Sequence, residues 1–189
     1  GSKDPYALRR LALGLLRILL EAKIELNLKD LIDFSLNLHL KEVDRDSSLP
    51  IYHFMMDRLK AYYKDLGVDG NIYEAVLAVC PSSPFDFHQR VEALNEFTQK
   101  SESKSLIESN KRIANILKDF NGDHSKLNVK MLLEDSEQKL FKVTEAITRQ
   151  LSEKQDYKVI MKSLLELKDV IDTFFETVMV NIDDVELRE

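Results

Sequence analysis

Several kinds of protein are excluded by what this 189-residue sequence lacks. Its single cysteine, Cys80, cannot form an internal disulfide. With only Gly14, Gly67, Gly70 and Gly122 beyond Gly1, no phosphate-cradling loop or dinucleotide-binding fingerprint can be assembled. Apolar runs such as Leu11 to Leu16 are broken by Gly14 or closed by Arg17, well short of the roughly 20 residues that cross a bilayer. No membrane span is expected. No basic start leads into an apolar stretch and a small-residue cleavage site, so a reducing cytoplasm is the expected compartment. No segment alternates as a strand; Val178-Met179-Val180 is a β-branched-rich patch too short to outweigh its helical surroundings.

What is present is the balance of a soluble helical protein: 44% apolar and 32% charged residues. Gly1-Ser2 reads as a scar of tag removal, and 183–189 as a helix just starting, so an excised piece of a longer protein is expected. One domain over 3–189 is the default at this length, with a possible subdivision near 80–84. The formal net charge of −6 argues against sequence-blind nucleic-acid binding, because Lys and Arg on phosphates supply most of that affinity. Any RNA contact must be local.

Along the chain, Asp4-Pro5 marks a helix start. Leu8, Leu11, Ala12, Leu15, Leu16, Leu19 and Leu26 recur at helical spacing, with Leu13 and Ile18 opposite, so a largely buried first helix is expected. Leu28, Leu31, Ile32, Leu36 and His39 suggest a second, ended by the polar run at 44–48. A third follows Pro50 and keeps its period to Gly67, a natural C-terminal cap; a short one covers 71–79. Pro81-Ser82-Ser83-Pro84 is the clearest break. Further helices are expected at about 85–99, 102–120, 136–151 and 157–178, with a loop at Asn121-Gly122-Asp123.

Catalytic chemistry finds little footing. His39, His53, His88 and His124 lack partners at metal-ligand spacing, and Cys80 reads as a small buried apolar residue. Asp169, Asp172 and Glu176 fall on one helical face, which reads as a solvated face.

Local basic stripes remain. Lys104, Lys111, Asn115 and Lys118 are spaced 7, 4 and 3 apart and line one helix face, with Arg112 adjacent, a face that could grip phosphates. Leu106, Asn110, Ile113 and Leu117 would form the buried side, where Asn110 would need a partner. Arg9, Arg10 and Arg17 lie on the first helix. Arg58, Lys60 and Lys64 interleave with Tyr62 and Tyr63 on the third, a mixture suited to stacking on unpaired bases. Each stripe alone also reads as ordinary solvated surface.

Lys3-Asp4-Pro5-Tyr6-Ala7-Leu8-Arg9-Arg10 resembles the opening of the C-terminal domain of bacterial glycyl-tRNA synthetase beta subunits. The resemblance continues in order through 54–63 (Phe54-Met55-Met56-Asp57-Arg58-Leu59-Lys60-Ala61-Tyr62-Tyr63), 109–117 (Ser109-Asn110-Lys111-Arg112-Ile113-Ala114-Asn115-Ile116-Leu117), Phe174 to Val180 and Asp183-Asp184. It is weakest from Phe120 to Leu133. It implies an all-α bundle of about seven to nine helices, an anticodon-binding domain of the arginyl-tRNA synthetase C-terminal type, with Ala7-Leu8-Arg9 in the shared motif.

The host would be a glycine-tRNA ligase of alpha and beta subunits, a heterotetramer that uses ATP at an adenylation site in alpha. This domain itself would be non-catalytic and without cofactor or metal. Its partners would be glycine tRNA, the alpha subunit and the rest of beta. The family's basic and amide positions fall on Arg9, Arg10, Arg58, Lys111, Arg112 and Asn115, although Arg9 reads equally as a tie between helices. The competing reading is a helical scaffold or subunit-interaction module of the same synthetase that does not touch the anticodon.

Overall fold

Residues 4, 6–39, 45–118, 127–152 and 156–178 are described by a computed structural model of the chain. Among them the structure is all helical, with no strand. The chain divides into two compact units, Gly1–Asn95 and Glu96–Glu189.

In the first unit, α1 (Leu8–Glu21) starts later than Asp4-Pro5 predicts. Its N-cap, Ala7, sits at a positive φ of 57° and has no side chain to cap with. Asp4 does that work from three residues upstream, its Oδ1 accepting from the Arg9 N–H at 3.3 Å. The opposite end closes with a Schellman motif: Lys23 donates to the Leu20 carbonyl and Ile24 to that of Leu19. α2 (Leu28–Leu38) is capped by Asn27, whose side chain accepts from Lys29 and Asp30.

A 3-10 turn (Arg45–Ser47) leads into α3 (Ser48–Asp65), so this helix begins before Pro50 and carries that proline in its first turn, where no N–H is required. As expected, Gly67 ends α3 at φ 80°, with Gly67 donating to Lys64 and Val68 to Tyr63 in a second Schellman motif. α4 (Gly70–Val79) is capped by Asp69.

These helices share a core of Leu16, Leu20, Leu28, Ile32, Met56, Leu59, Ile72, Val76, Phe87 and Val91, together with three tyrosines, Tyr52, Tyr63 and Tyr73. Each buried hydroxyl is satisfied: Tyr52 donates to the Pro81 carbonyl, Tyr73 to that of Met56, and Tyr63 is hydrogen-bonded to His88 Nδ1 at 3.0 Å. Without such partners each would cost about 1–3 kcal/mol.

The Pro81–Pro84 segment is not a domain boundary. Leu28 donates to the Ser82 carbonyl at 2.8 Å, Lys29 Nζ to that of Cys80 at 2.8 Å, and Tyr52 to that of Pro81, so the break is tied into the first unit. The division falls after Asn95, inside α5 (Pro84–Thr98).

The second unit contains α6 (Ser101–Leu117), a 3-10 turn (Val129–Met131), α7 (Asp135–Ser152), α8 (Tyr157–Leu165) and α9 (Leu167–Thr177). The single helix expected over 157–178 is therefore two. At Glu166 the N–H turns back to the Ser163 carbonyl, an i→i−3 bond that tightens the chain for one residue. The core of this unit includes Phe97, Leu106, Ile147, Val170 and Ile171. The expected loop at 121–123, His124 and most of Val178-Met179-Val180 lie outside the described residues.

A candidate RNA interface

The expected RNA-binding residues fall into two groups, one in each unit. In the first, Tyr63 corrects the sequence reading. It is 1% exposed, packed against Tyr73 and Phe87, so its ring is core and is closed to any base. Burial pushes its hydroxyl above the ordinary phenol range, as it does for Tyr52 and Tyr73.

Three of the expected RNA-binding cations in this unit are engaged within the fold. Arg17 makes an i,i+4 ion pair with Glu21 at 2.9 Å and lies over the half-buried Tyr62 ring. Arg58 donates from Nε to the Phe54 carbonyl and covers that residue's ring at 5.0 Å. Lys60 pairs across to Glu74 on α4, and that contact raises its pKa. Arg9, Arg10 and Lys64 are exposed and have no side-chain partner among the described residues, so Arg9 ties no described helices together.

The second group is α6. Its inward side is set by Ser103, Leu106, Ser109, Ile113 and Ile116, at steps of 3, 3, 4 and 3. This differs from the sequence reading, since Asn110 and Leu117 are exposed and Asn110 needs no buried partner. Serines can occupy a packed face because each hydroxyl is absorbed. Ser103 donates to the Lys100 carbonyl at 2.6 Å, and Ser109 to Asp172 Oδ1 on α9 at 3.4 Å.

On the outward side stand Lys104, Lys111, Asn115 and Lys118, all exposed, their side chains without a hydrogen bond or ion pair to any described residue. The three lysines are seven residues apart, which places them about 10 Å from one another along the axis. Glu108 lies on the same line, four residues after Lys104 and three before Lys111, a feature the 7-4-3 spacing passed over. Arg112 sits beside the stripe with its guanidinium 4.0 Å from the centroid of Phe175 on α9. Asp172 on α9 is neutralised locally by Lys168 Nζ at 3.1 Å, an exchange that raises the pKa of Lys168.

No three His, Cys, Asp or Glu side chains converge as metal ligands among the described residues, and no described helix is long and apolar enough to cross a membrane. Cys80 is half-buried at the end of α4.

The chain also has relatives. Residues 1–78 match the family model described as glycyl-tRNA synthetase beta subunit. The chain is 39% identical over 193 residues to the glycine-tRNA ligase beta subunit of Pseudomonas aeruginosa strain LESB58, covering 100% of this chain and 28% of that protein. It is 37% identical to that of Hahella chejuensis, again over 100% of this chain and 28% of the relative, and 36% identical to that of Colwellia psychrerythraea over 97% and 28%. The chain thus spans 28% of the length of the curated relatives it matches. Over its whole length, it is similar to one part of the glycine-tRNA ligase beta subunits, whose family model its first 78 residues match.

Proposed function

We propose that this chain is a tRNA-reading helical domain of a glycine-tRNA ligase beta subunit, and that it serves glycyl-tRNA synthesis by gripping the anticodon arm. It does no chemistry and needs no cofactor. ATP is consumed elsewhere in the cytoplasmic enzyme, whose alpha subunit and remaining beta segments are its protein partners.

One contrast carries this reading. Arg17, Arg58 and Lys60 are held by groups of their own unit, whereas Lys104, Lys111 and Lys118 form a row on α6 with no described partner, even with Glu108 on the same line. A chain of net charge −6 that keeps such a row open has a local place for phosphates. Asn115, between two of the lysines, offers both a donor and an acceptor to a base edge. Arg112, its guanidinium over the Phe175 ring, adds a further cation beside the row.

The test is binding of glycine tRNA, with native and altered anticodons, to a synthetase containing this sequence, unsubstituted and as Lys111→Glu/Lys118→Glu. A loss of at least tenfold together with a flattened anticodon preference is expected. Unchanged affinity and preference in a folded variant would reject anticodon reading through α6 and favour the scaffold role.

A further inference from the structure

The two apolar stripes of α1 are unequally used. Ala12, Leu16, Leu19 and Leu20 are buried, while Leu8, Leu11, Leu15 and Ile18 are 54%, 64%, 39% and 61% exposed. Arg10, Arg17 and Glu21 share the remaining polar side. A helix apolar around most of its circumference is normally buried on both sides. Only one side of α1 is covered, which is why the largely buried helix expected from sequence is not observed.

α2 repeats the pattern, with Leu31, Phe34 and Leu38 exposed at 38%, 62% and 68%. Leu15 and Leu31 both rim an apolar cavity of about 270 Å³ between α1, α2 and α3. Leu15 of one stripe and Leu31 of the other therefore meet at one groove. Contiguous apolar surface of this kind marks a place where another protein element packs.

We propose that this groove is filled by an apolar helical segment from elsewhere in the same beta-subunit polypeptide. The proposal rests on the reading of this chain as part of that subunit. The chain accounts for only 28% of the length of its relatives, so most of such a polypeptide lies outside these residues. Stripes at i, i+3 and i+4 on two helices present ridges and a groove that accept a third helix. A second copy is a poorer occupant, because each copy carries a net charge of −6 and the two would repel.

The test uses the full-length beta subunit, with single cysteines placed by Leu15→Cys, Leu31→Cys and Ser35→Cys on the groove face and by Glu21→Cys and Asp33→Cys beside it. Maleimide labelling rates are read over the background from the subunit's native cysteines, Cys80 among them. At least tenfold slower labelling at the three face positions is expected, unaltered by tenfold dilution or by the alpha subunit. Equal rates at all five positions would show an open face. Protection that disappears on dilution would assign the groove to a second copy, and protection that needs the alpha subunit would assign it there. Either result overturns the proposal. Failure of the RNA reading looks different, with Lys111→Glu/Lys118→Glu keeping tRNA affinity while the protection persists.

Discussion

The guanidinium of Arg112 lies 4.0 Å from the centroid of the Phe175 ring, joining α6 to α9 at the edge of the open lysine row. A cation over an aromatic face at a solvent-exposed site contributes about 0.5–1 kcal/mol. A double-mutant cycle of Arg112→Ala and Phe175→Leu, read by urea unfolding, is expected to return a coupling in that range. Strictly additive effects would mean that the two side chains are neighbours without attraction.

Alkaline pH should expose the buried tyrosines. Burial is the leading cause that raises Tyr52, Tyr63 and Tyr73 above the ordinary value of 10.0. Each keeps its proton in the folded chain while the unfolded chain releases it near pH 10. Their contribution is therefore complete below that pH and is lost as pH rises beyond it. Each tyrosine adds about 1.4 kcal/mol per pH unit to the slope, so the three together add about 4. Urea unfolding at pH 9 and pH 11 should show this loss, and Tyr52→Phe/Tyr63→Phe should remove about two-thirds of the extra slope. A double variant with an unchanged slope would contradict the assignment.

The two Schellman motifs make opposite predictions. Lys23 adopts φ 53°, a left-handed conformation that costs a side-chain-bearing residue about 1–2 kcal/mol, part of which glycine would return as unfolded-state entropy. Lys23→Gly should therefore stabilise the chain by about 0.5 kcal/mol. Gly67, at φ 80°, already has the freedom its position demands, so Gly67→Ala should destabilise by about 1 kcal/mol. Shifts in urea midpoint at constant slope measure both, and a gain in the alanine variant would show that the α3 terminus had rearranged.

Helix content was legible in the sequence because apolar spacing and Gly67 as a terminator act locally. The break at Glu166 was not, since it involves neither glycine nor proline, only one i→i−3 hydrogen bond. The α6 face was misjudged by part of a turn. Ser103 and Ser109 count as polar in a periodicity argument, yet their hydroxyls are spent on Lys100 and Asp172 inside the packed side.

At the candidate interface, the 7-4-3 spacing correctly placed the lysines and Asn115 on an outward face. It could not show that Lys60 is taken up by Glu74 on another helix or that Tyr63 is buried among aromatic rings. Both depend on tertiary contacts far apart in the chain.

The central claim is that Lys104, Lys111 and Lys118 hold RNA phosphates, and its most direct measurement is the salt dependence of glycine tRNA binding. In single-stranded nucleic acid each neutralised phosphate contributes about 0.7 to the slope of log K against log salt. Replacing all three lysines by glutamine in the synthetase should therefore flatten that slope by about 2 and weaken binding most at low salt. A folded triple variant with the original slope and affinity would contradict the account.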